Sequence, residues 1–351
     1  MRSPPLSLYT RWRMKTVRIG ILGGGTVGSN VLTLLHQRRD LIKALGVDLQ
    51  VAPVLVKNAK KPRPTTHPSA TFTSDPQGVG EVDVLIELIG GTTQALELML
   101  GHLQAGKPVI TANKALLAER WDVLKTYAQR GQIFFEAAVM AGTPVITSLT
   151  CTLRSSELFE LHAILNGTCN YILSRMEEGA EYASALEEAQ QKGYAEDPPD
   201  LDVNGIDPGH KLCMLARLAV DADFRWDALE MRGIAGLSGT TVRGAVSAGK
   251  RVKLVGSLVP ANGVWKAKVR PVILDSRHPL AGSTASRNAI VLHGDASGTI
   301  VLQGGGAGGM VTASAIVGDL IAYLEGNLGH TPRAIPTPAR SDYTPEVFEE
   351  I

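Results

Sequence analysis

Residues 17–24, VRIGILGG, form a short apolar run that ends in glycines, and TVGSNVLTLLHQ follows at once with helical spacing. Val27, Val31, Leu34 and Leu35 fall on one face of that helix. Gly23, Gly25 and Gly28 make G-x-G-x-x-G between strand and helix, and no other feature restricts the chain as much. The pattern meets two needs, a tight first turn and a second position where backbone can approach a pyrophosphate. The free N–H groups of the helix start then face the ligand. Glycine is common here, so the pattern draws its weight from context, the competing reading being a tight turn without a ligand. VDLQVAPVLV (47–56) reads as a second strand, DVLIELIGG (83–91) and PVITAN (108–113) as buried parallel strands, and QIFFEAAV (132–139) as another. TQALELMLGHLQ and LLAERWDVLKTYAQR read as helices between them. This alternation predicts an α/β fold with a doubly wound parallel sheet, a Rossmann dinucleotide-binding domain over residues 14–143.

NAD-specific sites usually place an acid at the end of the second strand, to hold the ribose hydroxyls. Here that strand ends in Lys57 and Asn58, followed by Lys60, Lys61 and Arg63. A cationic cluster suits a 2′-phosphate, which favours NADP and leaves use of NAD open. A solvated basic loop is the competing reading.

The rhythm changes near residue 144. LFELHAILNG (158–167) reads as a strand leading into a helix, YASALEEAQQKG and KLCMLARLAV as helices, and RVKLVGSLV, KAKVRPVIL, NAIVLHG and TIVLQ as strands of a second, antiparallel or mixed sheet. The expected division is a substrate-binding, catalytic and dimerisation region over 144–303, a last helix within 304–328 that packs back on the first domain, and a loose proline-rich tail over 329–351. Gly304, Gly306 and Gly309 repeat the glycine pattern, but no strand follows that helix, so a close backbone approach at a helix start serves equally well. With 351 residues, two domains fit. The net charge of +1 creates no field toward nucleic acid or a membrane surface. Cys151, Cys169 and Cys213 are too few and too scattered for a disulfide framework or a zinc site, and a reducing cytoplasm is the simplest location. No apolar run reaches membrane-spanning length. The opening MRSPPLSLYTRWRMK is basic without a signal-like apolar core, and reads as a disordered lead-in or as a start placed too early, with Met14 the true one.

GYAEDPPDLDVNGIDPGHKL (193–212) gathers Glu196, Asp197, Asp200, Asp202 and Asp207 before Lys211. Asp200, Asp202, Asn204 and Gly205 match the opening of a calcium loop, but position twelve is Lys211 instead of a bidentate glutamate. Read as a helix start, Asp207 is an N-cap, Pro208 the first helical residue, and Lys211 lies one turn on, on the same side. Capping plus an ion pair leaves the other acids unexplained. A cationic substrate explains them: Glu196 and Asp207 hold an ammonium group beside a lysine that handles a proton.

At these residues the chain resembles the homoserine dehydrogenase family. The resemblance covers about residues 16–330 and is carried by GILGGGTVG (20–28), TANKALLAE (111–119), FEAAVMAGTP (135–144), LNGTCNYIL (165–173) and the acidic stretch itself. It implies a homodimer that interconverts L-aspartate 4-semialdehyde and L-homoserine with NAD(P)H, on the route to threonine and methionine. Carried over, Lys211 is the proton donor, Glu196 and Asp207 bind substrate, and Lys114 lies beside substrate and nicotinamide. Asn166, Gly167, Thr168 and Asp202 line the substrate pocket. Cofactor contacts fall on Gly23, Gly25, Thr26, Val27, Gly28, Lys57, Thr93, Thr111, Lys114, Gly306 and Gly308. Carbonyls of Glu136, Val139, Ala141 and Thr143 correspond to a monovalent-cation site, usually sodium. Many members have alanine, aspartate and proline after the glutamate, where this chain has Asp197, Pro198 and Pro199, which leaves the role of Asp197 open. Many relatives also carry a threonine-responsive regulatory domain after the catalytic part. The segment 329–351, with its four prolines, is too short for an independent core of at least about 40 residues, so inhibition through such a domain is not expected.

The chemistry agrees. Aldehyde reduction needs a hydride at carbon and a proton at oxygen, which a protonated lysine can supply. Neighbouring carboxylates are expected to raise the pKa of Lys211. Two alternatives remain: an acylating semialdehyde dehydrogenase with Cys169 as nucleophile, served by His162, and a non-catalytic NADP-binding sensor.

Overall fold

The computed structural model describes residues 14–64, 67–195 and 198–351. The basic lead-in before Met14, and with it the choice of start, lies outside them, as do Glu196 and Asp197. Seven parallel strands build the first sheet: β1 (Lys15–Leu22), β2 (Val47–Val51), β3 (Val54–Leu55), β4 (Phe72–Thr73), β5 (Val84–Glu87), β6 (Val109–Thr111) and β7 (Ile133–Phe134). Their order is β4-β3-β1-β5-β6-β7, with β2 also on β1. After β1 the chain runs to one side and then crosses to β5 on the other. The point between β1 and β5, where ligands of such sheets bind, therefore opens at the glycine loop.

The segment 47–56, read above as one strand, breaks into β2 and β3 at Ala52 and Pro53, because proline has no N–H to continue the ladder. QIFFEAAV is a strand only at Ile133–Phe134 and then a tight turn at Glu136–Ala138. Side chains take over its backbone bonding: the Phe135 N–H donates to His330 Nδ1, and the Glu136 N–H to the Asp319 carboxylate. LLAERWDVLKTYAQR is two helices, Lys114–Glu119 and Trp121–Gln129, parted at Arg120, whose φ of −114° is not helical.

The second sheet is mixed. Its strands β8 (Leu158–Ile164), β10 (Lys250–Ala261), β11 (Val264–Asp275), β12 (Arg287–Gly294), β13 (Gly298–Gly305) and β14 (Glu349–Glu350) run in the order β13-β12-β8-β10-β11-β14, and β9 (Glu230–Met231) adds to β11 in parallel. β10 and β11 form a long hairpin whose turn uses Asn262 and Gly263, both in the left-handed region that a two-residue hairpin turn requires. The helices Gly167–Glu177 and Ile206–Ala219 cover one face of this sheet, burying Leu173, Leu212 and Leu215 with Leu254 and Leu258 in one core.

The last helix, Gly309–Leu324, returns to the first sheet. It buries Ala313, Ile316, Val317 and Leu320 in one cluster with Val31, Leu32 and Leu35 of the Thr26–Gln37 helix. The tail is not loose. Thr337 is buried by three hydrogen bonds: its N–H to Val220 O, its hydroxyl to Ala219 O, and the Trp265 indole N–H to its own carbonyl. Its prolines forbid a helix but not an extended path along the body. Among the described residues, no helix is long and apolar enough to cross a membrane.

Candidate active site

At the glycine loop, each glycine answers a separate constraint. Gly23 has φ 109°, and a Cβ there would lie 2.5 Å from Leu88 O; one at Gly28 would lie 2.0 Å from Gly23 O. Gly25, in contrast, faces open space, with nothing within 4 Å of a Cβ position. Thr26 beside it is exposed, and among the described residues no side chain caps the helix that starts there, so the first N–H groups suit an anion. Arg63 folds onto this loop: its Nε donates to Gly24 O at 3.0 Å, and its guanidinium lies over the Phe72 ring. Lys57 is exposed just past β3. The basic cluster is thus partly built into the loop instead of being wholly solvated.

The second glycine pattern is a packing joint. A Cβ at Gly304 would lie 2.1 Å from Thr143 Oγ1, at Gly306 2.2 Å from Asn288 Oδ1, and at Gly309 2.5 Å from Asn30 Nδ2 and 2.8 Å from Thr26 Cγ2. Through Gly309 it meets Thr26 and Asn30 at the start of the Thr26–Gln37 helix, and Gly308 before it takes a φ of 128°. Thr93 is exposed just before the Gln94–Gln104 helix. Thr111 is fully buried, and its hydroxyl donates to Glu87 Oε2 at 2.7 Å, so only its backbone can face a cofactor. Glu87 ends β5 without exposure, and its other oxygen accepts the N–H groups of Ile89 and Gly90. Asn113 caps the Lys114–Glu119 helix and ties it to Gly91 O. Sequence reasoning missed both residues, although a glutamate inside the apolar run DVLIELIGG is a signal, since a buried acid must have partners.

On the other side, Lys114 and Lys211 converge on one carboxylate. Lys114 Nζ lies 2.8 Å from Asp207 Oδ1, and Lys211 Nζ 2.8 Å from Asp207 Oδ2 and 2.7 Å from Leu165 O. Asn166 Nδ2 donates to Asp207 Oδ2 at 2.8 Å and to Asp202 Oδ1 at 2.7 Å, while its Oδ1 accepts the Cys169 N–H and caps the Gly167–Glu177 helix. Gly167 admits a close approach of Ser286 O, and the Thr168 hydroxyl donates to Tyr194 O. Asp207 is not an N-cap. The helix begins at Ile206 after the left-handed Gly205, and Asp207 sits in the first turn, with its carboxylate turned to both lysines. Burial raises the Asp207 carboxyl, but Lys211 and Lys114 outweigh it and hold the group well below the usual carboxylate range. Burial raises the Asp202 carboxyl above its ordinary value.

The Lys211 ammonium goes the opposite way from the expectation. Burial lowers its pKa, Asp207 opposes that, Lys114 adds to it, and the net result lies below the ordinary lysine value. Proximity of acids was legible in the sequence; the depth at which the lysine sits was not.

Cys169 is no nucleophile. It is fully buried, its thiol donates to Asp202 O at 3.2 Å, and burial with Asp202 and Asp207 pushes its pKa well above the ordinary thiol value. His162 is engaged elsewhere, with Ser257 at 2.9 Å and close to Glu160. Asp200–Val203 is one helical turn, so the calcium-like run does not wrap around an ion. At the segment matched to a cation site, Met140 and Ala141 take left-handed backbone (φ 58° and 46°), and the buried Thr143 Oγ1 has no hydrogen-bond partner among the described residues. The Glu136 carboxylate is occupied by Ile146 N, Thr147 N and the Thr147 hydroxyl, which leaves its backbone carbonyl as the group to consider.

Family models match both halves of the chain. One described as homoserine dehydrogenase matches residues 144–321, and one described as homoserine dehydrogenase, NAD binding domain, matches residues 23–136. A homoserine dehydrogenase of Pseudomonas aeruginosa is 37% identical over 331 residues, which cover 92% of this chain and 76% of the relative. The crystal structure of a homoserine dehydrogenase from Thiobacillus denitrificans superposes with a TM-score of 0.83 at 33% identity, over 92% of this chain and 79% of that one. A hyperthermophilic archaeal homoserine dehydrogenase in complex with NADPH gives 0.76 at 27% identity, over 90% of this chain and all of that one. With the glycine-loop half and the paired-lysine half both matched, the chain belongs to the homoserine dehydrogenase family.

Proposed function

We propose that Lys211 is the proton donor in the reversible, NAD(P)H-dependent reduction of L-aspartate 4-semialdehyde to L-homoserine. The observation that carries this reading is the convergence of Lys211 and Lys114 on Asp207. The nicotinamide supplies the hydride when bound. Lys211 Nζ polarises the aldehyde oxygen and protonates the forming alkoxide; in the reverse direction it takes the hydroxyl proton. A lysine whose pKa is lowered by burial gives and regains a proton more readily near neutral pH than an exposed one. Lys114, on the first domain, orients the same oxygen and the nicotinamide. Glu196, Asp207 and Asp202 take the substrate ammonium, and Asn166, Gly167 and Thr168 shape the floor of the pocket.

The cofactor lies along Gly23, Gly25, Thr26, Val27 and Gly28, with Thr93, Thr111, Gly306 and Gly308 around it. NADP is the preferred form, because Lys57 and Arg63 offer positive charge where the 2′-phosphate would fall. Sodium is held by the carbonyls of Glu136, Val139, Ala141 and Thr143; the left-handed backbone at Met140 and Ala141 supports that reading. The working molecule is a cytoplasmic homodimer, divided into a cofactor domain over 14–143 with the 304–328 helix, a catalytic and dimerisation region over 144–303, and the 329–351 tail.

Initial rates of L-homoserine oxidation, with NADP and NAD compared in parallel, test the assignment; no turnover with either cofactor would refute it. Lys57→Glu is expected to raise the KM for NADP about tenfold, or about 1.4 kcal/mol, and to leave NAD nearly unaffected. Equal effects on both cofactors would remove Lys57 from the phosphate site. Cys169→Ser should keep most of the activity, since hydride transfer to an aldehyde forms no thioester. Loss of turnover by a folded Cys169→Ser protein, together with phosphate-dependent acyl chemistry, would revive the acylating reading.

A further inference from the structure

The face of the second sheet turned away from the Ile206–Ala219 helix carries a polar cluster that takes no part in the site above. β12 runs antiparallel to β8, with His293 directly opposite Glu160, so the two side chains share that face. The tail crosses above them and adds Glu346, whose backbone N–H donates to Glu160 Oε2 at 2.8 Å. One ligand atom from each of Glu160, His293 and Glu346 lies within 4.8 Å of the others. We propose that these three side chains bind one zinc-class divalent cation, which staples the C-terminal tail to the sheet.

Four observations support the site. First, His293 Nε2 and Glu160 Oε1 face each other at 3.9 Å, too far for a hydrogen bond. Tetrahedral ligands with bonds of about 2.0–2.2 Å stand about 3.3–3.6 Å apart, so side-chain shifts of about 1 Å close the shell. Second, each candidate ligand is oriented from behind, as metal ligands usually are. His293 Nδ1 pairs with the Thr299 hydroxyl at 2.9 Å, which turns Nε2 toward the cluster. The Tyr343 hydroxyl donates to Glu160 Oε1 at 2.9 Å. His278 Nδ1 accepts the Leu280 N–H, so its Nε2 carries the proton and faces Glu346 Oε2 at 3.3 Å. Third, His162 is 1% exposed, and its Nε2 lies 3.3 Å from Glu160 Oε2, outside bonding geometry, with no hydrogen-bond partner among the described residues. Fourth, two carboxylates meet here, one of them buried, and a cation between them relieves their repulsion. One imidazole with two carboxylates is a borderline donor set that suits zinc; magnesium prefers an all-oxygen octahedron.

The test is calorimetric titration of the chelator-stripped full chain with zinc chloride, and separately with magnesium chloride. One zinc ion per chain is expected, with binding weakened at least about tenfold by His293→Gln and by Glu346→Gln and unchanged by Cys151→Ser. Zinc should raise the melting temperature of the wild type and of Cys151→Ser, but not of the two ligand variants. Glu346 is exposed, so its replacement does not threaten the core. Absence of stoichiometric zinc binding, unchanged affinity in both ligand variants, or magnesium binding as tight as zinc would each overturn the proposal.

Discussion

Lys211→Ala is expected to lower kcat for L-aspartate 4-semialdehyde reduction by about 10²–10⁴-fold, the usual contribution of a positioned general acid. NADPH binding should stay at the wild-type level, because the glycine loop and the Arg63 side of the site are untouched. The protein should also remain folded. Asp207 keeps Lys114 at 2.8 Å and the Asn166 amide at 2.8 Å, so no buried charge is orphaned. Single-turnover hydride transfer and NADPH fluorescence titration separate the two effects. Wild-type turnover in the variant would move the proton donor elsewhere, and Lys114 would be examined next.

Asp207→Asn should be nearly as damaging, for a different reason. Asp207 stands between two ammonium groups, and the amide that replaces it carries no charge to balance them. Breaking a buried ion pair on one side costs about 3–5 kcal/mol of stability; separately, a substrate ammonium that loses a buried carboxylate partner forfeits at least about 2 kcal/mol, which is a loss of about 30-fold or more in kcat/KM. The pH behaviour should change as well. Asp207 is what raises Lys211 against burial and Lys114, so its removal lets the Lys211 pKa fall further. The alkaline limb of the reduction profile should therefore move to lower pH. A variant whose limb stays at the wild-type position while activity collapses would make Asp207 a substrate ligand with no hold on Lys211. Comparison with Asp202→Asn, whose carboxyl accepts the Asn166 amide, gauges the general cost of removing an acid from this pocket.

Much of this site can be read from local patterns. The glycine loop announces itself because strand, turn and helix lie within about twenty residues, and each glycine meets a separate local need. The Asp207–Lys211 pair is equally local, four residues apart on one helix. Lys114 is different. Its ion pair with Asp207 joins two halves of the chain, and no spacing rule connects them; only the family resemblance pointed to it. The direction of the Lys211 pKa also escaped, since it depends on how deeply the Ile206–Ala219 helix is buried. QIFFEAAV has the composition of a strand, yet ends as one after Phe134, because His330 and Asp319 take its next two N–H groups from far along the chain. The proline-rich tail follows the same logic. Its composition excludes helix, but the Trp265 and Ala219 groups that hold Thr337 belong to tertiary structure.

The pH dependence of kcat for semialdehyde reduction tests most directly whether Lys211 passes a proton to the substrate oxygen. A donor must be protonated to act, so the rate should fall as pH rises through the Lys211 pKa in the bound complex. Burial places that fall below the ordinary lysine range, and homoserine oxidation should rise across the same interval. In Lys211→Ala the residual rate should lose this limb. A limb that persists at the same pH in the variant would contradict the assignment.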